Sequence, residues 1–195
     1  MMRLLLATNN RGKQKEYRDL LADLQFELVT LDDVGVHEVE ETGATFAENA
    51  RLKAQTYARQ TNLLTLADDS GLQVNALNGE PGVRSKRYAG DHATDAERIA
   101  FLLNKLRDVP RTKRAARFTC AIAIAAPDGK LWETQGTCEG EIIFAPRGAN
   151  GFGYDPIFLF PTRGLTMAEL SDAEKNRVSH RAVAAQHARD ILKQF

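Results

Sequence analysis

A buried strand that ends on two adjacent carboxylates constrains this chain more than any other feature. Leu63, Leu64, Leu66 and Ala67 form an apolar run of strand length, and Asp68-Asp69 follow directly before Ser70-Gly71, which reads as a turn. A strand that carries two acids to its own C-terminal rim places negative charge where α/β proteins build ligand sites. Paired carboxylates at such a rim suit a hard divalent cation, most simply Mg²⁺. Asp and Ser are also ordinary turn formers, so the segment alone does not decide between the two readings.

The bulk composition narrows the function classes. A chain of 195 residues suits one domain, or two lobes that share a core. Lys plus Arg and Asp plus Glu both number 26, so no overall field favours nucleic acid, and any polyanion must be held by a local basic cluster. Cys120 and Cys138 have neither CxxC nor zinc spacing and read as core thiols of a reducing cytosol. The start MMRLLLATNN is too short in apolar residues for a signal peptide, and no stretch approaches membrane-spanning length. The expectation is a cytoplasmic protein without membrane or nucleic-acid partners.

Periodicity orders the rest. Residues 3–8 read as a strand broken by Asn9-Asn10-Arg11-Gly12, then a helix with Tyr17, Leu20, Leu21 and Leu24 on one stripe, then a strand over 26–31. Thr45-Phe46-Ala47-Glu48, Thr94-Asp95-Ala96-Glu97 and Ser171-Asp172-Ala173-Glu174 are capping boxes. They predict helices over about 45–59, from 94, and from 171 to near Lys193. A short strand is expected over 72–77. Pro127-Asp128-Gly129 predicts a tight two-residue hairpin turn at Asp128-Gly129, with strands over 118–126 and 130–139. That register sets Cys120 opposite Thr137, so the cysteines face opposite sides of the sheet. An apolar run over 157–160 follows the glycine-rich loop 148–156. The pattern predicts an α/β fold with a mixed sheet flanked by helices.

Four further clusters could carry chemistry. Thr8, Asn9, Asn10, Arg11, Gly12 and Lys13 join the first strand to the first helix. A glycine, free helix-start N–H groups and a cation can hold phosphate, although GxxxxGK(S/T) is absent and an ordinary turn would look the same. Glu40-Glu41 before Gly43 either complement a helix dipole or complete an Mg²⁺ site. Lys53, on an otherwise Ala-rich inner face, needs an anion if buried. Phe152, Gly153, Tyr154 and Asp155 either stack on and read a base or tuck their aromatics into the core. Lys175, His180 and Arg181 crowd the predicted start of the last helix, where cations oppose the dipole; such local conflict often marks function.

Taken together, ATNNRGK, EETGATFAENARLKA, ADDSGL, NGEPGVRSKRYAG, GFGYDPIF and AELSDAEKNRVSHRA occur in order over nearly the whole chain. This set resembles the inosine triphosphatase family of noncanonical purine NTP pyrophosphatases. The resemblance implies one domain over 1–195 with an elongated mixed central sheet, two lobes with a substrate cleft between them, and a homodimer. It implies Mg²⁺-dependent hydrolysis of ITP, dITP and XTP to the monophosphate and pyrophosphate. It implies that Thr8, Asn9, Asn10, Arg11, Gly12 and Lys13 hold the triphosphate. Glu40 or Glu41 and Asp69 bind the metal, Asp69 activates water with Asp68 beside it, Ser70 contacts substrate and Lys53 neutralises phosphate. Phe152, Gly153, Tyr154 and Asp155 stack on and read the base, while Lys175, His180 and Arg181 close over the purine and recognise its 6-oxo group. Lys86 departs from the small residue the family commonly has there. The alternative reading is a house-cleaning pyrophosphatase for other modified nucleotides.

Overall fold

A computed structural model of the chain describes residues 1–36 and 39–195. In chain order the elements are β1 (Met2–Leu6), α1 (Arg11–Leu20), β2 (Phe26–Thr30), α2 (Leu31–Val34), α3 (Phe46–Thr61), β3 (Leu64–Val74), α4 (Asp95–Lys105), β4 (Ala115–Ala125), β5 (Leu131–Ile142), β6 (Phe158–Phe160), β7 (Leu165–Thr166), α5 (Asp172–Val178) and α6 (His180–Leu192). Among the described residues, seven strands make one sheet in the order β2-β1-β3-β4-β5-β6-β7. β1 runs parallel to β2 and β3, whereas β6 is antiparallel to β5 and β7, so the sheet is mixed as expected.

The three capping boxes form as predicted. Thr45, Thr94 and Ser171 each accept from the backbone N–H three residues on, and Glu48, Glu97 and Glu174 bond back to the cap backbone. Each reciprocal cap satisfies N–H groups that a helix start would otherwise leave orphaned. The chain divides into two compact units. The first comprises Met1–Asp69, Cys120–Gly136 and Arg181–Phe195, with a core that includes Leu4, Leu6, Tyr17, Leu66, Ile122 and Ala188. The second comprises Ser70–Thr119 and Thr137–His180, with Leu72, Leu102, Phe118, Ile157, Phe158 and Met167 at its centre.

Three local expectations are corrected. Ser70-Gly71 does not end the strand, because β3 runs unbroken to Val74. Sheet pairing overrides local turn propensity here: β3 lies between β1 and β4. The rim survives on one side only. β1 ends at Leu6, opposite Leu66, so Asp68 and Asp69 lie just beyond the carboxyl end of β1. Second, the helix expected from 171 to near Lys193 is two helices, interrupted at Ser179, whose φ of −73° and ψ of 157° are extended. Serine gives up helical geometry readily. Third, the hairpin closes through Ala126 N–H to Lys130 O and Gly129 N–H to Ala126 O, making a three-residue turn with Gly129 at φ 93°. The facing pairs move by one position from the two-residue expectation. Both cysteines are free and buried, Cys120 in the first unit's core and Cys138 in the second's.

Candidate active site

Continuity of β3 decides where its acids point, because successive side chains on a strand face opposite sides of the sheet. Asp68 is 1% exposed and turns toward α1 and α6. Its Oδ2 lies 3.0 Å from the Lys13 ammonium and accepts from Arg181 Nε and Nη2, both at 3.4 Å, and from the Cys120 thiol at 3.7 Å. Its Oδ1 has no hydrogen-bond partner among the described residues. Burial pushes the Asp68 carboxyl up, but Lys13, Arg181 and Lys53 outweigh it and hold the group well below the usual carboxylate range. Arg181 is 1% exposed, and a second acid, Glu16, accepts from its Nη1 at 2.5 Å. Burial alone would depress this guanidinium, yet Glu16 and Asp68 raise it well above its ordinary value. The result is a fully charged, buried network.

Asp69 faces the other way, toward α3. Asn49 Nδ2 donates to Asp69 Oδ2 at 2.9 Å, and Asn49 Oδ1 accepts from Gly43 N–H at 2.7 Å. One turn further along α3, Lys53 donates to Glu41 at 2.5 Å and to the Asp68 backbone carbonyl at 2.7 Å. The buried cation anticipated at Lys53 therefore does find an anion. Burial lowers Lys53, but Glu41, Asp68 and Asp69 together raise it and keep it protonated. Burial also raises Asp69, and Glu41 raises it further. Burial pushes Glu41 up too, but Lys53 outweighs it and leaves Glu41 lowered, so the repulsion between the two carboxylates falls on Asp69. Among the described residues no three His, Cys, Asp or Glu side chains assemble a cage that would hold a metal unaided. Magnesium needs no such cage, since one or two carboxylates plus water and phosphate oxygens complete its shell. Glu41 and Asp69 fit that requirement, and Glu40 is exposed.

The segment after β1 is less of a loop than expected. Arg11, Gly12 and Lys13 already form the first turn of α1, and Asn10 caps it by accepting from Lys13 N–H at 3.1 Å. Thr8 is fixed by Asn10 N–H to its Oγ1 at 3.2 Å and by Gln14 to its carbonyl at 2.8 Å. No acid sits in that first turn, while Arg11 and Lys13 do. A helix start with two cations and open N–H groups is electropositive and suits phosphate.

In the second unit, Asp155 and Lys175 are both 3% exposed and paired at 2.5 Å. Asp155 Oδ2 also accepts from Phe152 N–H at 2.9 Å, and the Lys175 ammonium stands 4.6 Å from the centre of the Phe152 ring. Gly151 is required here, since a Cβ at its φ of 74° would lie 2.1 Å from Asp155 Oδ2. Gly153 N–H is held by Asp95 at 2.7 Å. Phe152 and Gly153 are half-buried, but the Tyr154 ring is packed in the core with its hydroxyl donated to Ser85 O. Of the two aromatics, Phe152 is the one with a ring toward the surface. His180 is 4% exposed and stacks on Phe118, ring centres 4.7 Å apart. Ser70 is half-buried at the start of this unit, and Lys86 is exposed.

The first unit thus brings together Lys13, Glu41, Lys53, Asp68, Asp69 and Arg181; the second brings together Phe152, Asp155 and Lys175. Asn49, Glu16 and Asp95 escaped the sequence reading. Asn49 had a signal: it stands four residues before Lys53, on the same inner face of α3. Glu16 and Asp95 look like ordinary helix residues until their partners are known.

A family model described as the Ham1 family matches residues 4–191. A Geobacillus kaustophilus protein named dITP/XTP pyrophosphatase is 50% identical over 185 residues, spanning 94% of this chain and 91% of its own. A Vibrio cholerae protein of the same name is 47% identical over 188 residues, 95% of this chain and 94% of its own. The solved structure of a HAM1 protein from Coxiella burnetii superposes with a TM-score of 0.91 at 45% identity, covering 100% of both chains.

Proposed function

The chain belongs to the Ham1 family, and from that premise we propose that it hydrolyses ITP, dITP and XTP to the nucleoside monophosphate and pyrophosphate, with Mg²⁺ as its metal. The observation that supports the site assignment is the Lys53–Glu41 ion pair, tied by Lys53 to the Asp68 carbonyl next to Asp69, beyond the end of β1. In this reading Glu41 and Asp69 hold the ion, which when bound supplies charge neutralisation on the phosphate oxygens. The electropositive start of α1, with Thr8, Asn9, Asn10, Arg11, Gly12 and Lys13, holds the triphosphate tail.

Asp69 takes a proton from the water that attacks the α-phosphorus. The new bond is water oxygen to α-phosphorus; the bond that breaks joins the α-phosphorus to the bridging oxygen, which leaves with pyrophosphate. Charge grows on that leaving group, and preorganised cations stabilise it best where they need not move. Lys53 is such a cation, fixed by Glu41 and the Asp68 carbonyl. Asp68 does not share the chemistry in this scheme. It fixes Lys13 and Arg181 from the other face of the sheet.

Phe152 stacks on the base, with Lys175 and Asp155 setting its position; Ser70 and Gly153 line the approach, and the buried Tyr154 anchors the loop through Ser85. His180 and Arg181 are donors suited to the O6 acceptor of hypoxanthine and xanthine; adenine offers an amino group instead. The protein acts as a cytoplasmic homodimer on small nucleotides rather than polymers, a reading supported by its balanced charge. Among the described residues no helix is long and apolar enough to cross a membrane.

The test is pyrophosphate release from ITP, dITP, XTP and ATP, with and without Mg²⁺, by the wild-type chain and Asp69→Asn. The expected result is metal-dependent turnover of the first three, little of ATP, and none by Asp69→Asn. Near-normal turnover by Asp69→Asn sinks the assignment of Asp69.

A further inference from the structure

Two consecutive turns of α3 each tie the segment 41–43 to β3. Lys53 does so from Glu41 to the Asp68 carbonyl, and Asn49 does so from Gly43 N–H to the Asp69 carboxylate. We propose that Asn49 is a positioning residue for hydrolysis: oriented by the Gly43 backbone, its amide fixes the plane of the Asp69 carboxylate. The inference rests on the reading of Asp69 given above.

The orientation of the amide follows from its neighbours. A backbone N–H can only donate, so the Asn49 oxygen must face Gly43 and the NH₂ must face Asp69. The two bonds are 2.7 and 2.9 Å long, and Asn49 is 1% exposed, so water does not compete for either. Asp69 Oδ2 is thereby committed, and rotation of the carboxylate breaks a buried bond. Gly43 supports the same conclusion independently. A Cβ there would sit 2.7 Å from Asn49 Oδ1 and 2.7 Å from Glu48 Cβ, although Gly43 does not have the left-handed φ that favours glycine elsewhere in the chain. The absence of a side chain serves close approach to Asn49, not backbone conformation.

The experiment compares Asn49→Ala, Asn49→Asp, Gly43→Ala and the Gly43→Ala/Asn49→Ala double variant with wild type and Asp69→Asn. Steady-state pyrophosphate release from ITP is measured together with thermal melting, with and without Mg²⁺ alone. Outer partners of this kind are worth about 10–100-fold, and here that loss should fall on kcat with KM for ITP within about twofold. Asn49→Asp keeps the volume and the Gly43 bond but replaces the donor with an acceptor, so it should lose as much kcat as Asn49→Ala. The double variant should lose no more than the worse single, because both changes cut one link. The Mg²⁺-induced rise in melting temperature should survive in the Asn49 and Gly43 variants, since Glu41 and Asp69 remain in them.

An Asn49→Asp enzyme with wild-type kcat, or additive losses in the double variant, overturns the inference. If Asn49→Ala fails to fold, Asn49→Asp and Gly43→Ala still decide it. Full turnover by Asp69→Asn refutes the reading of Asp69; an inactive Asp69→Asn beside a fully active Asn49→Asp refutes only the role of Asn49.

Discussion

The ammonium of Lys53 stands 2.5 Å from the carboxylate of Glu41, and the lysine is 7% exposed. A buried lysine keeps its charge only beside an acid, and Glu41, with Asp68 and Asp69 behind it, outweighs the desolvation of this one. Lys53→Met keeps the volume and removes the charge. The expected outcome is a kcat at least about tenfold lower, as for loss of one fixed electrostatic group. Stability should fall by about 1–3 kcal/mol, because Glu41 and the Asp68 carbonyl lose their donor. Pyrophosphate release and urea denaturation check the two parts separately.

Glu16 and Arg181 form a 2.5 Å pair inside the first unit. Removing one partner of a buried pair leaves the other charged and unmatched, at a cost of about 3–5 kcal/mol. Glu16→Gln and Arg181→Met are each expected to lower stability by that order in urea titrations. If Arg181 reads the purine, Glu16→Gln also erodes the preference for ITP over ATP. Measuring both substrates on the refolded variant distinguishes a reader from a purely structural arginine.

Burial pushes the thiols of Cys120 and Cys138 up to about 12 from an ordinary 9.0. At pH 8 both are neutral and shielded, so a disulfide thiol reagent should modify neither in the folded protein and both in denaturant. The sign of the linkage follows. A folded-state value raised above the unfolded one contributes stability that is fully present below about 9 and is lost as pH rises toward 12. Cys138→Ala should therefore flatten the alkaline limb of the stability curve, as measured by urea midpoints from pH 8 to 11.

Asp95 accepts from Gly153 N–H at 2.7 Å and also pairs with Arg98. Hydrogen bonds to charged acceptors are worth about 1.5–3 kcal/mol, so freeing the loop should weaken substrate binding about tenfold. Asp95→Ala is expected to raise KM for ITP with a smaller effect on kcat. A steady-state titration reads both.

Much of this was legible in the residues because the signals were local. The capping boxes at Thr45, Thr94 and Ser171 act within four residues, and all three start helices where expected. That Lys53 would need an anion if buried followed from one cation on an Ala-rich face, and Glu41 is that anion. What escaped depended on distant partners. Whether Ser70-Gly71 bends the chain is decided by the strands flanking β3, and those are not visible in a window of ten residues. The roles of Glu16 and Asp95 are equally invisible, because each is defined by a partner remote in the chain, Arg181 and Gly153; the spacing of Asn49 from Lys53 marks its face but not its partner Asp69. The resemblance set Asp68 beside Asp69, the residue it has activate water; that the two side chains point to opposite faces comes from the unbroken alternation of β3.

The interruption at Ser179 carries a consequence for how sequence change accumulates here. Just past it α6 opens on His180, stacked on Phe118 in the second unit, and Arg181, locked to an acid 165 positions away in the first. Genetic neighbours are thus energetic strangers, and remote codons are bound together. Drift at position 181 should be tolerated best alongside compensating drift at positions 16 and 68, while replacements at 180 should answer first to the Phe118 ring it stacks on.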